Sequence, residues 1–545
     1  MRVVPPSPPP FGVRRRTLRS AWILLRSGDL AGFTRRLWRR LVVLLKSLGR
    51  LGGPTSHVHW RERWVDLTDG EREVVAGWVS ATRFAVVVGD GPPEAVEATV
   101  ASLAAQLHDG WVLCASELDV AAVGTTSGVA DWVVGLEPGV VLHEAALATV
   151  AHAIDADPDL RLVYADFDHL DGDGAPCDPC FLPDWNPDLF DGLGRISPLV
   201  GRHRSVAAPQ GGGGPPLSGR VVAHLPFVLA SRPGHMRASD PAPVRRRWPI
   251  GDPPPLVSVL IPTRDQGRLL EACLTSLRST TTYPDVELVV VDHESTDQRA
   301  RDVIDALADD LNAVVVPFSG PFNFAAMCNR GAEAASGDVL VLLNNDTEVV
   351  APDWLDEFVG QLGRPEVGVV GALLLFTDGT IQHAGVHPGV GGLMGHGHKH
   401  RPGGDPGYHG RLTVAHEVAA VTGACLGVTR TLWDRLGGLD EENLAVAYND
   451  IDLCLRARQA GLRVMLTPHA VLRHHESVSR GYDDDPVRLA RLRDEVDRIR
   501  DRWGDRLDED PAYSPNLDLA EPGFRTADPP RVRPPWRFNV SEVDR

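Results

Sequence analysis

The sequence predicts an α/β protein whose second half is built on a mostly parallel central sheet, and two observations carry this prediction. Residues 339–343 form an unbroken apolar run, which is typical of a strand buried on both faces. Across residues 256–346, short apolar strands alternate with segments that carry apolar residues at helical spacing. Such alternation favours parallel strands joined by right-handed crossovers.

The composition excludes some classes of function. The chain has 545 residues, enough for two to four domains, and a formal net charge of -18. Residues 1–50 carry twelve Arg and Lys side chains against one acid, Asp29, so the remaining chain has a charge of about -29. An acidic body argues against nucleic-acid binding. Seven cysteines in a chain of this length do not suggest a disulfide framework and favour a reduced, cytoplasmic setting.

Residues 1–55 are predicted to be a basic N-terminal segment that contains an amphipathic helix. Within residues 30–51, leucine and phenylalanine recur at three- and four-residue steps, while arginines occupy other faces. Such a helix can lie in the headgroup layer of an anionic membrane, or it can pack on the protein and leave its basic face to solvent. The sequence contains no run of about twenty apolar residues and no signal-peptide pattern. We therefore expect a cytoplasmic protein with possible peripheral contact at the inner face of the cell membrane.

Residues 56–240 predict a reduced α/β domain. Residues 84–88 and 111–114 read as strands with helices after them. At the place where an acidic ligand-binding cluster should follow a strand, the sequence offers only Glu137 before a proline. Residues 241–255 are rich in Pro and Arg and predict a linker.

Residues 256–505 predict a second and more regular α/β domain, followed by a C-terminal tail over residues 506–545. The tail is rich in proline and charge, so we expect it to wrap the body or to be disordered. No G-x-G-x-x-G motif follows the first strand of this domain, which argues against a dinucleotide-binding fold. The predicted elements are strands at residues 256–261, 286–291, 313–316 and 339–343, and a helix at residues 324–335.

Polar side chains stand where three predicted strands of the second domain end. Thr263 follows the first strand, Asp292 the second and Asp346 the fourth. Ligands bind at the carboxyl ends of strands in open α/β sheets. An acid at this edge can accept hydrogen bonds from a nucleoside, and another can hold a hard divalent cation that carries phosphates. The alternative for Asp346 is a turn that caps the next helix.

Two further groups join this set. Asp450 lies near the start of a predicted helix, beside any ligand at the strand ends, although helix capping is a common alternative for such an acid. His474 and His475 follow a strand-like stretch, and an imidazole can complete a metal site.

Taken in order, these motifs resemble those of family 2 glycosyltransferases with a GT-A fold. The closest resemblance is to bacterial enzymes of O-antigen and cell-surface polysaccharide assembly, which are often rhamnosyltransferases. The matching stretches are residues 257–263, 290–297, 342–346, 421–425, 437–441, 449–456 and 474–477.

The resemblance implies a role for each group. Asp450 would be the catalytic base, and Asp346 would bind Mn²⁺ or Mg²⁺ together with His474 or His475. Asn344 replaces the first acid of the family's D-x-D motif. The predicted nucleotide-sugar contacts are Pro262, Thr263, Asp292, Asp297, Asn344 and Asn345, and the predicted acceptor wall is Gly423, Ala424 and Cys425.

The first domain resembles the same family in degraded form. The matching stretches are residues 162–168, 181–189 and 222–226, but the D-x-D position contains only Glu137 and no segment with the base is found. The resemblance implies a catalytically inactive GT-A-like domain.

The predicted function is inverting, metal-dependent transfer of a sugar from a nucleotide diphosphate, dTDP-rhamnose or a UDP-hexose, to a cell-surface polysaccharide or lipid-linked glycan. Inversion needs one carboxylate as base and no carboxylate nucleophile. The alternative is an inactive glycan-binding or scaffold protein, because Asn344 and Asn449 replace family acids. A nucleotidyltransferase is disfavoured by the absence of a Gly-rich phosphate loop.

A histidine-rich segment at residues 383–400 predicts a mobile flap or acceptor-side loop, with a second metal site as the alternative.

Overall fold

The computed structural model describes residues 56–116, 130–206, 219–234, 242–309, 312–475, 486–521 and 523–537. The predicted basic helix at residues 30–51 lies outside these ranges. The chain divides into one compact unit of residues 1–63, of which residues 56–63 are described, and a second unit of residues 64–545. Among the described helices, none combines the length and the apolarity needed to cross a bilayer.

The first half of the chain contains one sheet and several helices. Its strands are β1 (Phe84–Val88), β2 (Trp111–Cys114), β3 (Trp132–Leu136), β4 (Val141–Leu142), β5 (Leu162–Leu170), β6 (Pro176–Cys180), β7 (Val200–His203) and β8 (Val222–Pro233). Its helices are α1 (His57–Trp64), α2 (Asp69–Ala76), α3 (Pro93–Ala104), α4 (Ala146–Ala156) and α5 (Pro187–Leu193).

The second half forms a larger sheet and a small hairpin. Its strands are β9 (Val257–Thr263), β10 (Val286–His293), β11 (Ala313–Phe318), β12 (Val339–Leu343), β13 (Thr347–Val349), β14 (Val367–Leu375), β15 (Ile381–His383), β16 (Val386–Pro388), β17 (Met394–His396), β18 (His416–Glu417), β19 (Cys425–Thr429) and β20 (Arg463–His474). Its helices are α6 (Gly267–Thr280), α7 (Gln298–Asp305), α8 (Phe324–Ala334), α9 (Trp354–Leu362), α10 (Arg430–Leu436), α11 (Asn449–Gln459) and α12 (Pro486–Trp503).

The two sheets have the same strand order. The first runs β2-β1-β3-β7-β5-β8-β4, and the second runs β10-β9-β12-β19-β14-β20-β13 with β11 added beyond β10. Every corresponding pair of neighbours also has the same relative direction, including the short strands β6 on β5 and β15 on β14. This repetition supports the prediction that the first half is a reduced copy of the second, although the predicted domain boundaries stay predictions.

The predicted α/β class is confirmed, and the sheet of the second half is parallel from β11 through β12. Beyond β12 the sheet is mixed, because β19 runs antiparallel between β12 and β14. The parallel part agrees with the crossover connections expected from the alternation of strands and helices. Strand β19 is the departure, since it pairs with β12 from much later in the chain.

Strand β12 is fixed in the sheet by burial on both faces. All five of its residues are buried. Leu340 and Leu342 point into one hydrophobic core, with side chains from α8 and α11. Val339 and Val341 point into the other core, with side chains from α6 and α9. Because alternate side chains are buried on both faces, the strand delivers the next residues to a fixed place at its carboxyl end.

Buried ion pairs join the two halves. Asp188, at the start of α5, lies 2.8 Å from Arg364 and 2.6 Å from Arg463, the first residue of β20. Burial raises the pKa of Asp188, but the two guanidinium groups outweigh it and hold that pKa below its usual value.

The described part of the tail also packs on the body, where Nδ2 of Asn516 donates to Oδ2 of Asp166 over 2.9 Å. All seven cysteines are free.

Candidate active site

Asp346 lies at the carboxyl end of β12, where its side chain is buried. Its Oδ1 atom is 3.1 Å from Nε2 of His474, the last residue of β20. Nδ2 of Asn344 is 3.2 Å from the same imidazole nitrogen. The structure therefore brings together three of the predicted residues at one strand end.

His475 does not join Asp346 through its side chain. Its Nε2 atom lies 2.6 Å from Oε1 of Glu348, while its backbone N–H donates to the carbonyl of Asp346 over 2.9 Å. Successive side chains of an extended chain point in opposite directions, so only one of the two histidines can face the buried carboxylate. Of the two candidates, His474 is the one beside Asp346.

These residues could bind a divalent cation through two protein ligands, with the other coordination positions open. Among the described residues, no group of three His, Cys, Asp or Glu side chains is arranged to hold a metal ion. Asp346 and His474 instead offer two ligand atoms 3.1 Å apart. Adjacent ligands of an octahedral Mg²⁺ are also about 3 Å apart, and this ion usually keeps most positions for water and substrate phosphates. The set thus fits a cation that is completed by a diphosphate.

Thr263 and Asn345 tie the ends of two strands together. Nδ2 of Asn345 donates to Oγ1 of Thr263 over 2.8 Å, and both side chains are buried, as is Pro262. The contact fixes the end of β9 against the segment that carries Asp346. Their predicted contact with a nucleotide stays a prediction.

The two predicted acids after β10 have different surroundings. Asp292 is half-buried, and its Oδ1 accepts from the backbone N–H of Ser295 over 3.2 Å. Asp297 caps α7 and also accepts from the N–H of Gly267, the first residue of α6, over 3.0 Å. Its local hydrogen bonds agree with a capping role.

Asp265 is a residue that sequence reasoning missed. Its Oδ1 accepts from the backbone N–H groups of Thr296 at 2.6 Å and Asp297 at 2.8 Å. These hydrogen bonds hold the pKa of Asp265 below its usual value. The available signal was its position two residues after β9. Asp265 therefore organises the loops beside the predicted nucleotide site.

Asp450 lies in the first turn of α11 and is half-exposed. Its Oδ2 accepts from the backbone N–H of Gly423 over 2.7 Å. A Cβ atom on Gly423 would lie only 3.3 Å from the Cβ of Asp450, so the close approach uses the absence of a side chain. The carbonyl of Ala424 accepts from the N–H of Asn344 over 3.1 Å. The predicted acceptor wall therefore stands between the Asp450 carboxylate and the Asp346 segment.

The loop before Asp450 is held from two sides. Tyr448 has a φ of 63°, and the buried Asn449 donates from Nδ2 to the carbonyl of Leu444 over 3.1 Å. The carboxylate of Glu495, on α12, accepts from the N–H groups of Val446 at 2.8 Å and the following residue at 3.2 Å. Asn449 is thus used structurally, and its replacement of the family's acid leaves the Asp450 carboxylate in place.

The histidine-rich segment is packed, with two of its rings in contact. His383 and His396 approach through their Nδ1 atoms over 2.9 Å. Burial, with a contribution from His396, lowers the pKa of His383 well below its usual value. His398 is also buried, and its Nε2 accepts from the backbone N–H of Tyr408 over 2.9 Å. The fourth predicted histidine, His400, stacks on a phenylalanine ring.

Strand register shows what the first sheet places at the corresponding positions. Val349 pairs with Leu472 in the second sheet, and Leu142 pairs with Ala230 in the first. Counting back along the chain from each pair puts Gly139 where the second sheet has Asp346. The same count places Glu137 at the position of Asn344 and Arg232 at the position of His474.

The corresponding positions in the first half hold an ion pair. Arg232 lies 3.2 Å from Oε2 of Glu137. The connection between β7 and β8, residues 204–221, contains no acidic residue, whereas the connection between β19 and β20 contains Asp450. The first half therefore lacks counterparts of both the buried carboxylate and the predicted base.

Residues 258–425 match the family model described as Glycosyl transferase family 2. The chain contains a family 2 glycosyl transferase domain. The resemblance to family 2 glycosyltransferases that the motifs predicted is confirmed. The matched range of the glycosyl transferase domain ends at Cys425, so Asp450 and His474 lie beyond it.

Three curated relatives show how this domain occurs elsewhere. The chain is 37% identical over 442 residues to the uncharacterized protein y4gI of Sinorhizobium fredii, covering 71% of this chain and 48% of that protein. It is 36% identical over 428 residues to the O-antigen biosynthesis protein RfbC of Myxococcus xanthus, covering 69% and 33%. An N-acetylglucosaminyl-diphospho-decaprenol L-rhamnosyltransferase of Mycobacterium tuberculosis is 25% identical over 248 residues, covering 42% and 78%. The chain spans half or less of the length of the first two.

Proposed function

We propose that this chain is an inverting, metal-dependent glycosyltransferase of cell-surface polysaccharide assembly. The donor is a nucleotide-diphosphate sugar, and the acceptor is a hydroxyl of a glycan or lipid-linked glycan. The observation that carries the proposal is the convergence of Asp346, His474 and the Gly423–Asp450 contact at one edge of a family 2 glycosyl transferase domain.

Asp450 is proposed as the base that takes the proton of the acceptor hydroxyl. Its carboxylate is half-exposed, so an acceptor can reach it, and the N–H of Gly423 fixes one oxygen. A positioned base of this kind contributes about 10²- to 10⁴-fold to the rate. Holding the acceptor hydroxyl in line with the donor's anomeric carbon supplies a further part of the barrier reduction.

Asp346 and His474 are proposed to hold the divalent cation, Mn²⁺ or Mg²⁺. When bound, such an ion neutralises the charge that grows on the leaving diphosphate. Asn344 would support this site through its contact with His474, while Thr263, Asn345 and Asp292 line the proposed nucleotide side. His475 has no place in the proposed ligand set, because its ring contacts Glu348.

The donor and acceptor are proposed from the relatives' names. The relatives include an O-antigen biosynthesis protein and a rhamnosyltransferase that acts on a diphospho-decaprenol acceptor. They favour dTDP-rhamnose as donor, with UDP-hexoses as the alternative, and a polyprenyl-diphosphate glycan as acceptor. We also propose that the protein is cytoplasmic and that the basic segment of residues 30–51 binds the inner face of the membrane, where a lipid-linked acceptor would lie. The first half is proposed to be an inactive domain that supports the second.

The test is transfer by the purified chain, with Mn²⁺ and a panel of dTDP-, UDP- and GDP-sugars against a lipid-linked acceptor. We expect turnover of one donor, strict dependence on the cation, and loss of turnover in Asp450→Asn and Asp346→Ala. The inverted anomeric configuration of the product is read by NMR. Tight nucleotide binding without turnover of any donor would overturn the proposal and favour an inactive glycan-binding scaffold.

A further inference from the structure

A glutamine outside the predicted site contacts His474, the proposed metal ligand, at the ring nitrogen that faces away from Asp346. Gln382 is the central residue of β15, and its side chain is buried. Its Oε1 atom lies 2.8 Å from Nδ1 of His474. Both β15 and β20 pair with the carboxyl-terminal end of β14, at Leu374 and the residue after it, which explains how the two side chains meet.

The contact between Gln382 and His474 determines which imidazole nitrogen carries a proton. A carbonyl oxygen can only accept, so the contact with Gln382 requires a proton on Nδ1 of His474. On the other side of the ring, Nε2 lies 3.2 Å from Nδ2 of Asn344 and 3.1 Å from Oδ1 of Asp346. The contact with Gln382 therefore places a proton on Nδ1 and leaves Nε2, beside Asp346, as the ring nitrogen whose lone pair a cation could use.

We propose that Gln382 is a positioning residue that fixes His474 in the tautomer able to bind a divalent cation through Nε2. The inference rests on the proposed function, because it assigns a use to that lone pair. A metal-binding histidine commonly gives its other ring proton to a partner, which sets the tautomer and the ring orientation. The neighbour in sequence, His383, points to the other side of β15 and contacts His396. Gln382 is thus the residue of this strand that serves the site.

The first sheet has a different residue at the position of His474. Arg232 takes the place of His474 there, and a guanidinium group has no tautomer to fix. The strand that corresponds to β15 is β6, whose residues Cys177 and Cys180 pair with β5.

The experiment compares Gln382→Met, which removes the acceptor, with Gln382→Glu, which retains one. Gln459→Met, at an exposed position on α11, is the matched control. The first readout is the ¹⁵N shift pattern of His474 in the metal-free protein, assigned by its disappearance in His474→Ala. We expect a protonated Nδ1 in the wild type and in Gln382→Glu, and loss of this pattern in Gln382→Met.

The second readout is the binding of Mn²⁺ alone, followed by the EPR signal of free Mn²⁺. Gln382→Met should weaken binding by about 10- to 100-fold, the usual cost of removing an outer-shell partner, while Gln382→Glu and Gln459→Met stay within about threefold of the wild type. A wild-type ring protonated on Nε2 and not on Nδ1, or an unchanged tautomer in Gln382→Met, would overturn the inference. Equal Mn²⁺ binding by wild type and His474→Ala would instead overturn the proposed metal site, and the ¹⁵N readout separates the two failures.

Discussion

Arg232 occupies in the first sheet the register position that His474 occupies in the second. The guanidinium group lies 3.2 Å from Glu137, where the second sheet has the amide of Asn344 beside the imidazole. A fixed positive charge therefore stands where the other site presents a ligand atom for a cation. Since an arginine is always protonated and has no acceptor atom, it cannot bind a metal. The first half keeps the fold while its site has a different chemistry.

Replacing the proposed base should remove transfer while leaving the fold intact. Asp450→Asn keeps the size of the side chain and its ability to accept from the N–H of Gly423, but it cannot take a proton. We expect kcat to fall by about 10²- to 10⁴-fold with little change in Tm. Glu442→Gln, an exposed acid on the same stretch, is the control and should retain wild-type kcat. Wild-type turnover by Asp450→Asn would assign the base elsewhere.

The two neighbouring histidines should differ sharply in metal binding. His474→Ala removes a ligand atom 3.1 Å from the Asp346 carboxylate, whereas His475→Ala removes a ring that contacts Glu348. We expect His474→Ala to abolish detectable Mn²⁺ binding and His475→Ala to change the Kd by less than about threefold, because only a lost ligand changes the coordination. Titration calorimetry with Mn²⁺ measures both. The reverse order of effects would contradict the assignment.

A methyl group at Gly423 should misplace the base. The added Cβ would lie 3.3 Å from the Cβ of Asp450, closer than most such contacts. We expect Gly423→Ala to lower kcat by about 10- to 100-fold, because small displacements of a catalytic group are costly. Gly404→Ala serves as the control, since a Cβ there meets no atom within 4 Å. Steady-state kinetics on both variants give the comparison.

The sequence predicted which strand end carries the site, but not every side-chain contact within it. The apolar run of β12 fixes the position of Asp346, because alternate side chains must be buried on both faces of the sheet. The choice between His474 and His475 needed the observed structure, since it depends on which of two successive side chains faces Asp346. Asp265 and Gln382 were missed because their roles come from hydrogen bonds between segments that are distant in the chain, which no local pattern encodes.

Breaking the buried ion pair between the two halves should destabilise the protein. Asp188→Asn leaves Arg364 and Arg463 close to each other with less negative charge, although each keeps a glutamate nearby. Loss of one partner from a buried charge network costs about 3 kcal/mol. The free energy of unfolding, measured by urea denaturation, should fall by about this amount. Asp159→Asn, at an exposed position, should leave it unchanged.

His224 should make the stability of the protein depend on pH above neutrality. Its ring lies between Asp166, at 2.9 Å from Nε2, and Asp184, at 3.2 Å from Nδ1. Burial lowers the pKa of His224, but the two carboxylates outweigh it and raise that pKa to about 9. Because the pKa is higher in the folded than in the unfolded state, the ring contributes stability that is complete below pH of about 6.5.

The stability contributed by protonated His224 is about 3 kcal/mol, as follows from the difference between its folded and unfolded pKa values. It is lost as pH rises through about 9. The wild type should therefore lose more stability than His224→Gln between pH 6 and pH 10, when both are unfolded in urea at each pH. His400→Gln, which removes an exposed imidazole, should follow the wild-type curve. Parallel curves for wild type and His224→Gln would mean that His224 is not protonated between its two carboxylates.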